Sequence, residues 1–212
     1  MSSIFGVMPG QTAKRRVFFS FHYQNDIWRV NQVRNSWRYN HENTRESEGF
    51  FDGSMWESSK LTGPDSVKNL IREGIKNTSV TCVLFGAQTY ERRWVRYELA
   101  RSVVKGNGLL AVKVNLMGDQ QGNTAKEGPN PLEFMGVYNA DGAIRLAEFK
   151  NGNWVQYDDY TKAVDLPATW PNPHDNTVIK LSSYAKLYCY KMQNGGANFS
   201  SWVQQAASDV GR

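Results

Sequence analysis

Trp94 and Glu98 pair an indole with a carboxylate four residues apart, inside the stretch Gln88 to Val104, QTYERRWVRYELARSVV. The stretch reads as a helix. Val95, Leu99, Ser102 and Val103 fall on one side at helical spacing, the usual core-facing stripe. Residues four apart stack on one face, so Trp94 and Glu98 sit together beside that stripe. Such a pair at the edge of a core-facing stripe can line a cleft, where a carboxylate stabilises positive charge and an indole stacks on a ring. On this helix alone, a solvated carboxylate near Arg93, Arg96 and Arg101 is the better explanation of Glu98, since exposed helix ion pairs are common and weak.

A second set of candidates follows the first strand. Val17, Phe18, Phe19 and Phe21 make Arg16 to Tyr23 an apolar run of strand length, as in a strand buried on both faces. Gln24, Asn25 and Asp26 form a polar turn, and Ile27, Val30, Val33 and Trp37 continue at helical spacing. Ligands of open α/β sheets collect at the carboxyl ends of strands. That places Ser20, Phe21, His22, Tyr23, Asn25 and Asp26 at the expected site edge. A plain helix cap accounts for at least one of Asn25 and Asp26. His22 alone reads as a solvated loop residue.

Several chemistries are excluded by pattern. The chain has no GxxxxGK[ST] loop, no GxGxxG after the first strand and no GxSxG elbow. Three His and two Cys, widely spaced, give no metal signature. Cys82 and Cys189 each sit in an apolar run and read as buried thiols in a reducing compartment. The net charge of +5 is modest and mostly scattered, which gives nucleic acid little support. No signal peptide or membrane segment is visible, so a cytoplasmic location is expected, with residues 1–13 a loose arm and 14–212 one domain.

The remaining elements come in order. Asn40 to Ser47 reads as a surface loop, 49–53 as a short strand ending in Asp-Gly, and 54–61 as a loop. A helix starts at 62–65, with Val67, Leu70, Ile71 and Ile75 as its buried stripe. Ser79 to Gly86 and Leu109 to Asn115 are buried strands. The strand–helix alternation predicts an α/β domain with a mostly parallel sheet. The pattern changes after Leu116. Residues 117–131 read as a mobile loop. Short strands at 134–138, 143–149 and 154–157 are separated by Asp141-Gly142 and Asn151-Gly152, strong hairpin signals. An antiparallel β meander is therefore expected within an insertion at about 117–175. Residues 185–192 read as a last strand, and Asn198 as the cap of a final helix carrying Phe199, Trp202, Val203 and Ala206.

Three of these stretches, in this order, resemble TIR domains of the bacterial type, and within them the sensors of the Thoeris anti-phage defence system. They are Val17-Phe18-Phe19-Ser20-Phe21, Ser79-Val80-Thr81-Cys82-Val83-Leu84-Phe85, and Trp94-Val95-Arg96-Tyr97-Glu98-Leu99. The last is the most specific, because TIR enzymes that cleave NAD carry a W-x-x-x-E whose Glu is catalytic. The match covers about 15–116. It implies a flavodoxin-like TIR fold, with a mostly parallel central sheet flanked by helices.

The resemblance implies an enzyme that cleaves NAD at the nicotinamide–ribose bond and makes a signalling nucleotide, a cyclic ADP-ribose isomer or another ADP-ribose conjugate, which activates a separate effector on phage infection. NAD is then substrate, with no cofactor or metal. Self-association on activation and a phage protein trigger are expected, and neither nucleic acid nor membrane is a partner. Bond cleavage builds positive charge on the ribose, and a carboxylate close by stabilises it. Glu98 takes that part, as an ordinary carboxylate already ionised at neutral pH. Trp94 packs on the ribose or a base, Phe21 and Tyr23 stack on nicotinamide or adenine, and Ser20, Asn25 and Asp26 line the substrate site. Two other readings remain: a non-catalytic TIR-like interaction module, and a phosphoacceptor receiver using Asp26, Asp52 and Lys113.

Overall fold

A computed structural model describes residues 15–39 and 63–212. The expected arm at 1–13 and the short strand at 49–53, with Asp52, lie outside the described residues. Four strands, β1 (Val17–Phe21), β2 (Val80–Phe85), β3 (Gly108–Lys113) and β8 (Lys186–Cys189), form one parallel sheet in the order β1-β2-β3-β8. Val17 stands beside Val80, and Val80 beside Gly108. Helices α1 (Tyr23–Tyr39), α2 (Pro64–Lys76), α3 (Arg93–Lys105) and α4 (Gly195–Ser208) complete this part.

Strand alternation divides the core in two. Val17, Phe19, Val80, Cys82, Leu84, Leu110 and Val112 join Val30, Val33, Phe199 and Val203 of α1 and α4 in one buried cluster. Phe18, Val83, Phe85, Leu109 and Ala111 point the other way and join α2 and α3. Both faces of the sheet are covered, which is why its strands read as continuous apolar runs rather than alternating ones.

The segment between β3 and β8 builds a second sheet. Strands β4 (Met135–Ala140), β5 (Ala143–Lys150) and β6 (Asn153–Gln156) form an antiparallel meander, and β7 (Val178–Lys180) pairs with the other edge of β4. Asp141, Gly142, Asn151 and Gly152 all have positive φ, which the tight turns of both hairpins require. Met135, Val137 and Leu146 bury into the α2–α3 side of the core.

Several expectations are corrected. The α-helix begins at Arg93, not Gln88: Thr89–Glu91 is a 3-10 turn, and Arg92 is extended between them. The final helix is entered through Asn194, so Asn198 lies inside it and donates from its amide to the Gln193 carbonyl. Cys82 is buried, but Cys189, on an edge strand, is only half-buried. The 117–131 segment, expected to be a mobile loop, is bonded to its surroundings: Asp119 N–H donates to the Asn123 carbonyl, Ala125 N–H to the Asn115 carbonyl, and α1 holds 117–123 through bonds given below. Among the described residues, no helix is long and apolar enough to cross a membrane.

Candidate functional site

Ser20 stands one residue from the carboxyl end of β1 and shares its face with Phe18, the face on which α3 packs. That register brings Ser20 to Glu98. The Ser20 hydroxyl donates to Glu98 Oε2 at 2.5 Å, with Ser20 0% and Glu98 6% exposed. Burial pushes the Glu98 carboxyl up from its ordinary value to about 8, and the Ser20 hydrogen bond only partly offsets it. One neutral donor does not replace the hydration of a carboxylate. Ionising Glu98 in place therefore costs on the order of 5 kcal/mol more than in water. The expectation of an ordinary, already ionised Glu98 is thus overturned, and desolvation is the cause.

A buried polar seam fixes the height of α3 on the sheet. Ser102 Oγ donates to the Glu98 backbone carbonyl at 2.7 Å and lies 2.7 Å from Thr81 Oγ1 on β2. The Ser102 proton is committed to the carbonyl, so Thr81 is the donor in that contact. Asn107 Nδ2 in turn donates to Thr78 and Thr81. Glu98 is thereby held at its backbone from β2 and at its carboxylate from β1.

A second cluster ties the start of α1 to the loop after β2. Asp26 is 1% exposed and accepts from Thr89 Oγ1 at 3.1 Å, while Thr89 Oγ1 receives the Gly86 N–H at 3.1 Å. Burial raises the Asp26 pKa, with Thr89, Arg29 and Gly86 opposing. Gly86 has no room for a side chain: a Cβ there would lie 2.4 Å from Asp26 Oδ1. Asn25 Nδ2 donates to Gln88 Oε1 at 2.8 Å. Both residues belong to α1 rather than to a loop before it, because that helix starts at Tyr23.

Arg29, which sequence reasoning passed over, organises the other side of this cluster. It is 4% exposed and donates to the carbonyls of Asn25, Met117 and Asn123, with Asp26 3.8 Å away. The 117–123 loop is pinned against α1 in this way, and Gln32 adds a bond to the Gly118 carbonyl at 2.7 Å. Nothing in the spacing of Arg29 separates it from a surface arginine, except its position one turn after Asp26.

The predicted residues therefore fall into separate groups. Ser20 and Glu98 meet. Phe21 and Tyr23 lie together, ring centroids 6.3 Å apart, and Phe21 packs with the α1–α4 side of the core, the opposite face from Ser20. Trp94 is half-buried, edge-on to Tyr97 at 6.2 Å and under the Arg93 guanidinium at 5.0 Å. Asn25 and Asp26 serve the β2 loop. His22 is 7% exposed, not a solvated loop residue. The receiver reading loses two members of its cluster: Asp26 is bound to Thr89, and Lys113 pairs with Glu127.

The antiparallel sheet is clamped to α3 by charge. Arg96 Nη1 lies 2.7 Å from Glu148 Oε2, and Arg93 and Lys68 converge on Asp159 at 2.9 and 2.7 Å. The Arg93 hydrogen bond, then that of Lys68, hold the Asp159 carboxyl below its usual range against the effect of burial. A polar cavity of about 390 Å³ opens between these groups, lined by Arg93, Arg96, Glu148 and Asp159 among others. Among the described residues, no group of His, Cys, Asp and Glu is arranged to hold a metal ion.

Residues 18–119 match the family described as "Thoeris protein ThsB, TIR-like domain". The chain is also similar to a protein of Bacillus cereus (strain MSX-D12), ThsB1, whose name proposes it as a cyclic ADP-D-ribose synthase. The two are 42% identical over 194 residues, which cover 89% of this chain and 98% of that protein.

Proposed function

The chain belongs to the Thoeris ThsB family of TIR-like proteins, and we propose that it cleaves NAD at the nicotinamide–ribose bond and makes a cyclic ADP-ribose isomer or other ADP-ribose conjugate. The name of the Bacillus cereus relative supports the product class. The observation that carries the reading is a carboxylate, Glu98, buried at the end of the first strand with, among the described residues, one hydroxyl as its side-chain partner. A fold gains no stability from that arrangement, whereas a site for a cationic sugar uses it.

In the reaction, the bond between ribose C1′ and the nicotinamide nitrogen breaks, and its electron pair leaves with neutral nicotinamide. The positive charge passes to the ribosyl group. Ionised Glu98 faces that charge in a low-dielectric setting and stabilises it by ~3–4 kcal/mol, a hundred- to thousandfold in rate. An adenine nitrogen or ribose hydroxyl of the same molecule then closes the ring, or a separate acceptor takes the ADP-ribosyl group. Burial at the α3–sheet junction delays capture by water. NAD itself brings a positive charge on the nicotinamide, so its binding favours ionisation of Glu98 at neutral pH.

Trp94, one turn before Glu98 on α3, and Tyr23 and Asn25, at the start of α1, are the proposed substrate contacts, while Phe21 and Asp26, turned into the core, support that edge from behind. The protein acts in the cytoplasm, self-associates on activation by a phage protein, and reaches its effector through the nucleotide. Mass spectrometry of products from purified protein and NAD, with Glu98→Gln beside it, tests the reading. Loss of nicotinamide release in the variant supports it, and equal behaviour of the two refutes it.

A further inference from the structure

We propose that Ser20 is the positioning residue of Glu98: its hydroxyl aims the carboxylate at the mouth of β1 and supplies the dipole that holds it ready to face a ribosyl cation. The inference rests on the NAD-cleaving reading of Glu98 and assigns Ser20 a different part from that of a substrate contact.

Three observations support it. First, Ser20 is fully buried and its hydroxyl is spent on Glu98 at 2.5 Å, so it has no face to offer a ligand in this state. Second, among the described residues it is the one side chain hydrogen-bonded to the Glu98 carboxylate; the nearby seam of Ser102 and Thr81 reaches only the Glu98 backbone. The other polar candidates near the strand end are engaged elsewhere, Asp26 with Thr89 and Asn25 with Gln88. Third, the strand register sets the contact. Ser20 pairs with Val83 on β2 and faces α3, whereas Phe19 and Phe21 face α1 and α4. A one-residue slip would bring a phenyl ring to Glu98 in place of a hydroxyl.

A hydroxyl that donates to a carboxylate favours its charged form, and in a site this dry it acts without competition from water. Without it, the carboxylate keeps its place in the sequence but loses both its aim and its support for charge. A serine serving packing alone would be replaceable by alanine with no change in the titration of Glu98.

The test is ¹³C NMR titration of protein labelled at glutamate Cδ, with Glu98→Gln to assign the signal, on wild type, Ser20→Ala, Ser20→Thr and Ser20→Cys. Ser20→Ala is expected to raise the Glu98 midpoint by about one pH unit or more. Ser20→Thr restores it, and Ser20→Cys, a weak donor of similar size, gives an intermediate shift. In NAD turnover, kcat at pH 7 falls about tenfold or more in Ser20→Ala with little change in KM, and the rising limb of the pH profile moves with the NMR midpoint. An unchanged Glu98 midpoint in folded Ser20→Ala overturns the proposal. If that variant does not fold, an unchanged midpoint in Ser20→Cys does so. Should the midpoints move as expected while no form of the protein, wild type included, consumes NAD, the positioning role stands and the enzymatic reading fails.

Discussion

Trp94 and Glu98 lie one helical turn apart on α3 yet have different partners: Trp94 packs edge-on to Tyr97 beneath Arg93, while Glu98 turns to Ser20 on β1. The W-x-x-x-E spacing thus sets an aromatic at the rim of a core and a carboxylate inside it. The consequences concern charge, and they can be measured.

Glu98 makes the fold sensitive to alkali. Its folded pKa, about 8, is above the unfolded value of 4.5, so between these the native state holds a proton that the unfolded chain has lost. Stability due to this group falls as pH rises through that window and levels off above it. Glu98→Gln removes the charge while keeping an amide for Ser20. Thermal melts are expected to show the variant matching wild type near pH 4.5 and melting higher at pH 8.5. A variant that melts lower at pH 8.5 contradicts the burial argument.

The close approach of Asp26 to Gly86 predicts a specific coupling. Gly86→Ala forces a methyl into the Asp26 carboxylate and is expected to cost about 1–3 kcal/mol. Asp26→Ala loses the Thr89 bond and costs about as much. In the double variant the clash is gone, so the two effects sum to less than their separate costs. Denaturant melts of the four proteins measure this, and strict additivity would show that the contact is not the cause.

Arg29 holds the 117–123 loop through the Met117 and Asn123 carbonyls. Arg29→Met leaves both carbonyls and Asp26 without their cation, an expected loss of about 2–4 kcal/mol. Hydrogen exchange should accelerate in 117–123 more than in β4 and β5. Uniform acceleration would mean that Arg29 serves general stability rather than this loop.

Long apolar runs and turn dipeptides made much of the fold legible in the sequence. Val17–Phe21 and Val80–Phe85 read as buried strands because both their faces are covered, and Asp141-Gly142 and Asn151-Gly152 marked the hairpins because their backbone is left-handed there. The strand Val178–Lys180 was missed, being too short for any period to show. The anchoring of 117–123 was missed because it depends on Arg29, which is distant in sequence. At the site, the spacing on α3 and the family resemblance singled out Glu98, but not its charge state. That state depends on Ser20, 78 residues away in sequence, and on burial that only tertiary packing creates. For the same reason Asn25 and Asp26, plausible as ligand contacts from their place after β1, are bonded to Gln88 and Thr89 in the folded chain.

The most direct measurement is product analysis by mass spectrometry after incubating NAD with wild type and Glu98→Gln, each in its activated, assembled form. The account predicts nicotinamide and an ADP-ribose-derived nucleotide from wild type, and a rate about a hundred- to thousandfold lower from Glu98→Gln, with the variant as stable as wild type or more so. NAD consumption at an equal rate by both, or by neither, would contradict it.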